Sequence, residues 1–301
     1  MLLLEDLING LLFGATYSLV AIGFTLIFGV IHRLNIAHGA TIMASTFAGA
    51  AVAILLGGKS YLALLAAFVA STGTGVLLGF LIERIAFRPL KGADYLAPFA
   101  TTAGVTIVLE ELFLKLGRVV PIFHPEYTPF PSPLENLSFH IGGLYVRGVY
   151  VIIFIVALAL MASLTYWIDH TRSGRAMRVV EQNELVARLM GINVRRVELT
   201  AFAVASGLAG AAGCLIGVSV GTVGPFMGTN LLMISFVVIV LGGLGSIRGA
   251  MVGGLVVGVV ESLTISLLSA RYKQAVLFLL LFLVLIFRPE GLLTRRTVVR
   301  D

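Results

Sequence analysis

The sequence predicts an all-α, polytopic membrane protein of about nine transmembrane helices, between eight and ten, with one short amphipathic helix outside the bilayer. Three observations predict it. Hydrophobic residues make up 58% and charged residues only 12% of the 301 residues, whereas a soluble domain carries about 25% charged residues. Apolar windows of about 20 residues, the length a helix needs to cross roughly 30 Å of hydrocarbon, recur along the chain. None of these windows alternates polar and apolar residues as a barrel strand would, and in lipid a helix then satisfies the backbone within one segment.

The first window, 7 to 31, follows Glu5 and Asp6, acids where an export signal carries positive charge, and is predicted to be a retained span. The others are predicted at 40–57, 62–82, 97–116, 148–168, 199–218, 230–246, 250–268 and 274–288. The second is short, rich in Gly and Ala, and follows the polar turn HRLNIAHG at 32–39. A broken or re-entrant segment is an alternative there. The chain reads as a single transmembrane domain, 1–301.

Alternating spans sort the basic residues onto two sides. One side collects fifteen, from Arg33, Arg84, Arg88, Lys91, the six Arg between 172 and 196, Arg248, Arg288, Arg295, Arg296 and Arg300. The other has six: Lys59, Lys115, Arg118, Arg147, Arg271 and Lys273. The positive-inside rule puts the first side in the cytoplasm, with the N-terminus outside and the C-terminus inside. Topology and anionic headgroups then account for the net charge of +6, and nucleic acid is not implied.

Between the fourth and fifth spans, residues 117–147 carry Pro121, Pro125, Pro129, Pro131 and Pro133. So many prolines exclude a long regular helix and predict an ordered cap on the outer, periplasmic surface. The 34 glycines, in runs such as GGLGSIRGAMVGGLVVG at 242–258, predict close helix–helix packing. Cys214 lies within an apolar window, which excludes a disulfide framework.

Two motifs imitate enzymes. AILLGGKS at 53–60 has Ala53 where a phosphate-binding loop needs Gly. GVSVG at 217–221 matches a nucleophile elbow around Ser219, but no histidine follows it in the chain to serve as base. His32 and His38, six residues apart, would point to different faces of a helix, so neither metal nor catalytic residues are predicted.

The loop 169–198 stands apart. From Arg175 to Met190 it contains no Gly or Pro, and Ala176, Val179, Val180, Asn183, Val186, Ala187 and Met190 recur at helical spacing. Ser173 and Gly174 are placed to start this helix and Gly191 to stop it. It either lies along the lipid headgroups or docks into a soluble partner.

LINGLLFGATYSLVAIGFTLIFGVIHRLNIAHGATIMAS at 7–45, GRAMRVVEQNELVARLMGINVRRVE at 174–198, GGLGSIRGAMVGGLVVGVVESL at 242–263 and FRPEGLL at 287–293 together resemble the LivH-type permease of branched-chain amino-acid ABC importers. The resemblance implies a bacterial inner-membrane transport subunit, not an enzyme. It would work with a second related permease or a second copy, two cytoplasmic ABC ATPases holding ATP and Mg, and a periplasmic substrate-binding protein. No cofactor is implied in this chain. Residues 173–191 would be the coupling helix, with Ala176, Arg178, Glu181, Glu184, Ala187 and Gly191 as its contacts. Ala187 to Gly191 looks like part of the ABC importer EAA signature, although Leu185 and Val186 stand where Glu and Ala are usual.

The cost of an ionisable group in the hydrocarbon, roughly 2.5 to 3.5 kcal/mol on insertion scales, turns Glu110, Glu111 and Glu261 away from lipid, and since Glu111 is close enough to the outer end of its span to reach water, it leaves Glu110 and Glu261. Together with Asn35 and His38, in the turn after the first span, they are the candidate translocation-path residues. Leucine, isoleucine and valine are the solutes the resemblance implies, with other amino acids, amides or urea as alternatives. A secondary transporter acting alone would need more acids at mid-membrane than this chain holds.

Overall fold

The computed structural model describes residues 2–90, 94, 96–124, 126–135, 137–141, 144–288 and 290–293. Lys91, Pro125, Pro289, Arg295, Arg296 and Arg300, which enter the sequence reading, lie outside the described residues. An apolar helix stands at each predicted span: α1 (Leu2–Ile31), α2 (Ala37–Leu55), α3 (Tyr61–Ile82), α4 (Leu96–Val119), α5 (Gly148–His170), α8 (Val194–Val220), α9 (Met227–Gly242), α10 (Ile247–Leu267) and α11 (Lys273–Phe287). Two short helices, α6 (Arg172–Gln182) and α7 (Glu184–Leu189), lie between α5 and α8. Among the described residues eight segments are long and apolar enough to span a membrane, the last formed by α11 with the 3-10 turn before it (Ala270–Phe287), and α9 alone falls short of that length. The doubtful second span is therefore a continuous 19-residue helix. The break falls before it, where His32 adopts a left-handed φ of 55°.

The helices run back and forth between two ends. The arginine-rich end carries the 32–36 turn, α6, α7 and the 243–246 turn. The proline-rich end carries the described residues between 120 and 147, the α8–α9 connection and the α10–α11 turn. α1 and α8 are the most enclosed helices, while α4 and α11 expose most of their apolar surface.

Small residues set the central contacts. A Cβ on Gly254 of α10 would overlap the Ser18 backbone of α1, and one on Gly258 would overlap Gly14. The resulting approach lets Ser18 Oγ donate to the Met251 carbonyl at 2.7 Å and Ser262 Oγ to the Asp6 carbonyl at 2.8 Å. α3 meets α8 in the same way through Gly75, Gly79 and Gly210, and Ser71 Oγ donates to the Gly210 carbonyl at 2.7 Å. Without a hydrophobic drive between helices in lipid, this packing and these bonds hold the bundle.

Pro89 shapes the end of α3. Its ring lacks an N–H and crowds the carbonyl four residues back, so Glu83–Phe87 widen into a π-turn and Arg88–Leu90 tighten into a 3-10 turn. The proline-rich connection forms small sheets instead of helix. β1 (Thr128–Pro129) pairs antiparallel with β4 (Thr222–Val223), and β2 (Ser138–Ile141) forms a hairpin with β3 (Leu144–Arg147). Phe130, 2% exposed, pins the connection against Gly49 and Gly217. At the other end, Leu292 and Leu293 donate backbone N–H groups to the Leu241 and Gly242 carbonyls, which caps α9.

Candidate functional site

At the arginine-rich end, α5 turns sharply into α6. Thr171 Oγ1 accepts from Gly174 N at 3.1 Å, so Thr171 caps the helix in place of the expected Ser173 and Gly174. Gly174 sits inside the first turn because a Cβ there would overlap the Ile168 backbone. Met177 and Val180 are buried against the bundle, and Ala176 and Val179 pack beside them.

The single helix expected from 175 to 190 is broken. Asn183 is extended, at φ −161° and ψ 108°, and its side chain accepts from Val186 N at 3.1 Å. An Asn that bonds to the backbone locally competes with helix continuation and begins a new helix as its cap. α7 then ends in a Schellman motif: Ile192 N donates to the Ala187 carbonyl and Gly191 N to the Arg188 carbonyl, both at 3.0 Å. Gly191, at φ 77°, is the left-handed residue this cap requires.

The break also divides the expected apolar face. Ala187 is fully buried in its own chain, while Leu185 is 68% and Leu189 80% exposed, with Val186 and Met190 beside them. Glu184 pairs with Arg188 on the surface, and Arg178 donates to the Asp169 carboxylate at 3.2 Å. Glu181 is half-buried against Gly29 of α1. Burial pushes its carboxyl above the ordinary carboxylate range, against the opposing charges of His32 and Arg178. Glu181, Glu184, His32 and Arg33 border a recess of about 340 Å³ here.

At the proline-rich end, α1, α4, α8, α9, α10 and α11, with Glu126, Tyr127 and the α8–α9 connection, line an open cavity of about 650 Å³. Glu261, 7% exposed, projects from α10 into it and pairs with Lys273 at the start of α11, beside Tyr17 and Asn230. Of the four candidate path residues, only Glu261 borders one of the described cavities. Glu110 accepts from Thr229 Oγ1 and so ties α4 to α9. His38 donates through Nε2 to the Val20 carbonyl at 3.2 Å and packs edge-on to Phe24, bridging α2 and α1. Asn35 is 2% exposed, and neither polar atom of its side chain has a hydrogen-bond partner. The side chain of Asn35 therefore does not cap α2.

The two enzyme-like motifs take helical roles. Ala53–Leu55 end α2, Gly57 and Gly58 turn the chain, and Ser60 caps α3. Ser219 lies within α8 and donates to the Ile216 carbonyl at 2.8 Å.

Residues 7–285 match the family described as branched-chain amino acid transport system / permease component. The chain belongs to that family. Among relatives of this permease component, the high-affinity branched-chain amino acid transport permease protein BraD of Pseudomonas aeruginosa is 36% identical over 98% of this chain and 97% of its own. LivH of Escherichia coli, with the same description, is 34% identical over 98% and 96%. LivM of Escherichia coli, also described as a permease protein of that system, is 27% identical over 92% of this chain and 67% of its own. Among solved structures, PsaBC from Streptococcus pneumoniae in complex with Fab aligns over 94% of this chain and 91% of that one, with a TM-score of 0.52 at 15% identity. That likeness concerns the fold alone. The permease component is thus a multi-pass membrane transport subunit.

Sequence reasoning found Glu261 but missed Lys273, which entered only as a charge at a span end. A tight α10–α11 turn is the signal, since it folds the two residues against each other. Leu185 and Leu189 were missed because the periodic pattern runs unbroken through Asn183.

Proposed function

We propose that this permease component carries leucine, isoleucine and valine from a periplasmic binding protein across the bacterial inner membrane into the cytoplasm. A second, related permease completes the path, and two separate ABC ATPases drive it with ATP and Mg. The likeness to BraD over almost the full length of both chains carries this reading. The relation to LivM supports a related second chain as partner, since two permease proteins of one system are both similar to this sequence.

On this reading the arginine-rich end faces the cytoplasm and α7 is the coupling element. Leu185 and Leu189 enter an ATPase groove, Ala187, Gly191 and the Glu184–Arg188 pair hold α7 in shape, and Glu181, Ala176 and Arg178 fix the loop to the bundle. When the ATPases close, α7 moves with its groove and α6 passes the motion to α1 through the Glu181 contact near His32. Transport is then a shift between two packings, driven by nucleotide that binds one better than the other. The translocation path passes Glu261 and continues by Asn35 and His38, with Glu110 at its margin.

Purification in mild detergent tests the assembly: an ATPase subunit is expected to co-purify. Vesicles containing the assembled complex and binding protein should take up leucine only with ATP, competed by isoleucine and valine but not by urea or polar amino acids. Uptake without ATP, or competition by urea and not by isoleucine, overturns the reading.

A further inference from the structure

The cavity at the proline-rich end holds an arrangement that helix packing does not require. Glu261 is buried on α10 at 7% exposure. One carboxylate oxygen meets Lys273 Nζ, the other is buried without a hydrogen bond of good geometry, and the Tyr17 hydroxyl lies beside the carboxylate. Lys273 carries three N–H donors, and its side chain is 30% exposed. The same cavity has apolar lining from Ile216, Val220, Leu231 and Ile234. At about 650 Å³ the cavity is within the range of small-molecule sites.

We propose that this cavity binds the zwitterionic head of an α-amino acid with an apolar side chain. The inference rests on the importer reading above and assigns this chain its own recognition step. The ligand ammonium meets the Glu261 carboxylate, the ligand carboxylate meets Lys273, and the side chain lies on the apolar residues of the lining. Glu261, Lys273 and the two ligand charges then alternate in sign, which suits a site recessed in a membrane protein, while Glu126, exposed on the 120–130 connection, lines the same cavity. An isolated anion would meet the Glu261 carboxylate and an isolated cation would meet Lys273, so each lacks half of the contacts. Asn230, exposed at the rim and bonded to Gln274, marks the entrance.

Protection from labelling tests the site without the binding protein. Cys214, the chain's single cysteine, is 1% exposed, so Asn230→Cys gives one accessible thiol. In the assembled complex, millimolar L-leucine is expected to slow maleimide labelling of that thiol. Isocaproate, which lacks the ammonium, and isopentylamine, which lacks the carboxylate, are expected to leave the rate unchanged. Glu261→Gln and Lys273→Gln, each added to the Asn230→Cys chain, should abolish protection, and each alone should raise the KM of leucine uptake about tenfold or more, as loss of a buried charge partner does. Lys273→Arg should keep most of both. Equal protection by either one-charge analogue, no protection by leucine, or a parental KM in both Gln variants overturns the site. The parental-KM outcome leaves the importer reading standing if uptake still needs ATP, whereas a parent complex that protects with leucine yet never transports it overturns that reading and not the site. Should Glu261→Gln fail to assemble, the analogue series on the Asn230→Cys chain decides alone.

Discussion

Glu181 joins α6 to α1 at the price of a partly buried carboxylate. Its pKa is raised, so the folded state holds the proton more firmly than the unfolded chain does. The stability this contributes is complete below the unfolded value of 4.5 and is lost as pH rises through the folded value. Glu181→Gln should therefore match the parent near that lower limit and exceed it in Tm at neutral pH, a difference that thermal unfolding across a pH series would measure. Gly254 is constrained more simply. Gly254→Val has to displace the Ser18 backbone, and overpacking of this kind costs about 1–3 kcal/mol. The Tm of the purified chain should fall, while Gly73→Val, at a position with open space, should leave it unchanged. Single residues were legible in the sequence where burial is costly, as with Glu261 in an apolar window. Lys273 was not, because ion pairing depends on how two helices meet, which no periodicity encodes. Asn35 was legible as a polar residue at a break, yet its enclosure depends on Thr102 of α4, whose Oγ1 accepts from the adjacent Ile36 N.

Among the elements, α7 separates folding from coupling. Leu185 and Leu189 touch little of their own chain, and exposed positions usually tolerate substitution within about 0.5 kcal/mol. Leu189→Asp should accordingly leave Tm unchanged and reduce ATP-driven uptake severely by weakening ATPase association. Normal uptake in this variant would remove α7 from the coupling role. Gly191→Ala acts differently, since a left-handed φ at a residue with a Cβ costs about 1–2 kcal/mol. It should loosen the Schellman cap and lower both Tm and uptake. Sequence periodicity placed this loop, its polar character and its terminal glycine correctly. It could not show the break at Asn183, because one extended residue leaves the apolar spacing on either side intact while turning α7 to present a different face. The hairpin of β2 and β3 was hidden for a related reason: prolines exclude helix but do not specify what replaces it.

The whole molecule was the most legible scale, since segment length against bilayer thickness is a constraint any spanning helix must meet. All nine apolar helices among the described residues lie where the windows predicted them, and the proposed orientation of the ends rests on the charge asymmetry. Cysteines placed at Tyr127 and Leu189, both exposed, provide the test of that assignment. An impermeant thiol reagent should label Tyr127→Cys from the periplasmic side of intact spheroplasts and Leu189→Cys only after permeabilisation. The reverse pattern would invert the topology. What composition could not supply is the length of α9. Its 16 residues rise about 24 Å, some 6 Å less than the hydrocarbon they stand in. Thr222, Gly224, Pro225 and Phe226, which precede α9, border the large cavity. On the importer reading, the large cavity then begins about a fifth of the way into the hydrocarbon, and a solute handed over from outside reaches it past a shorter wall.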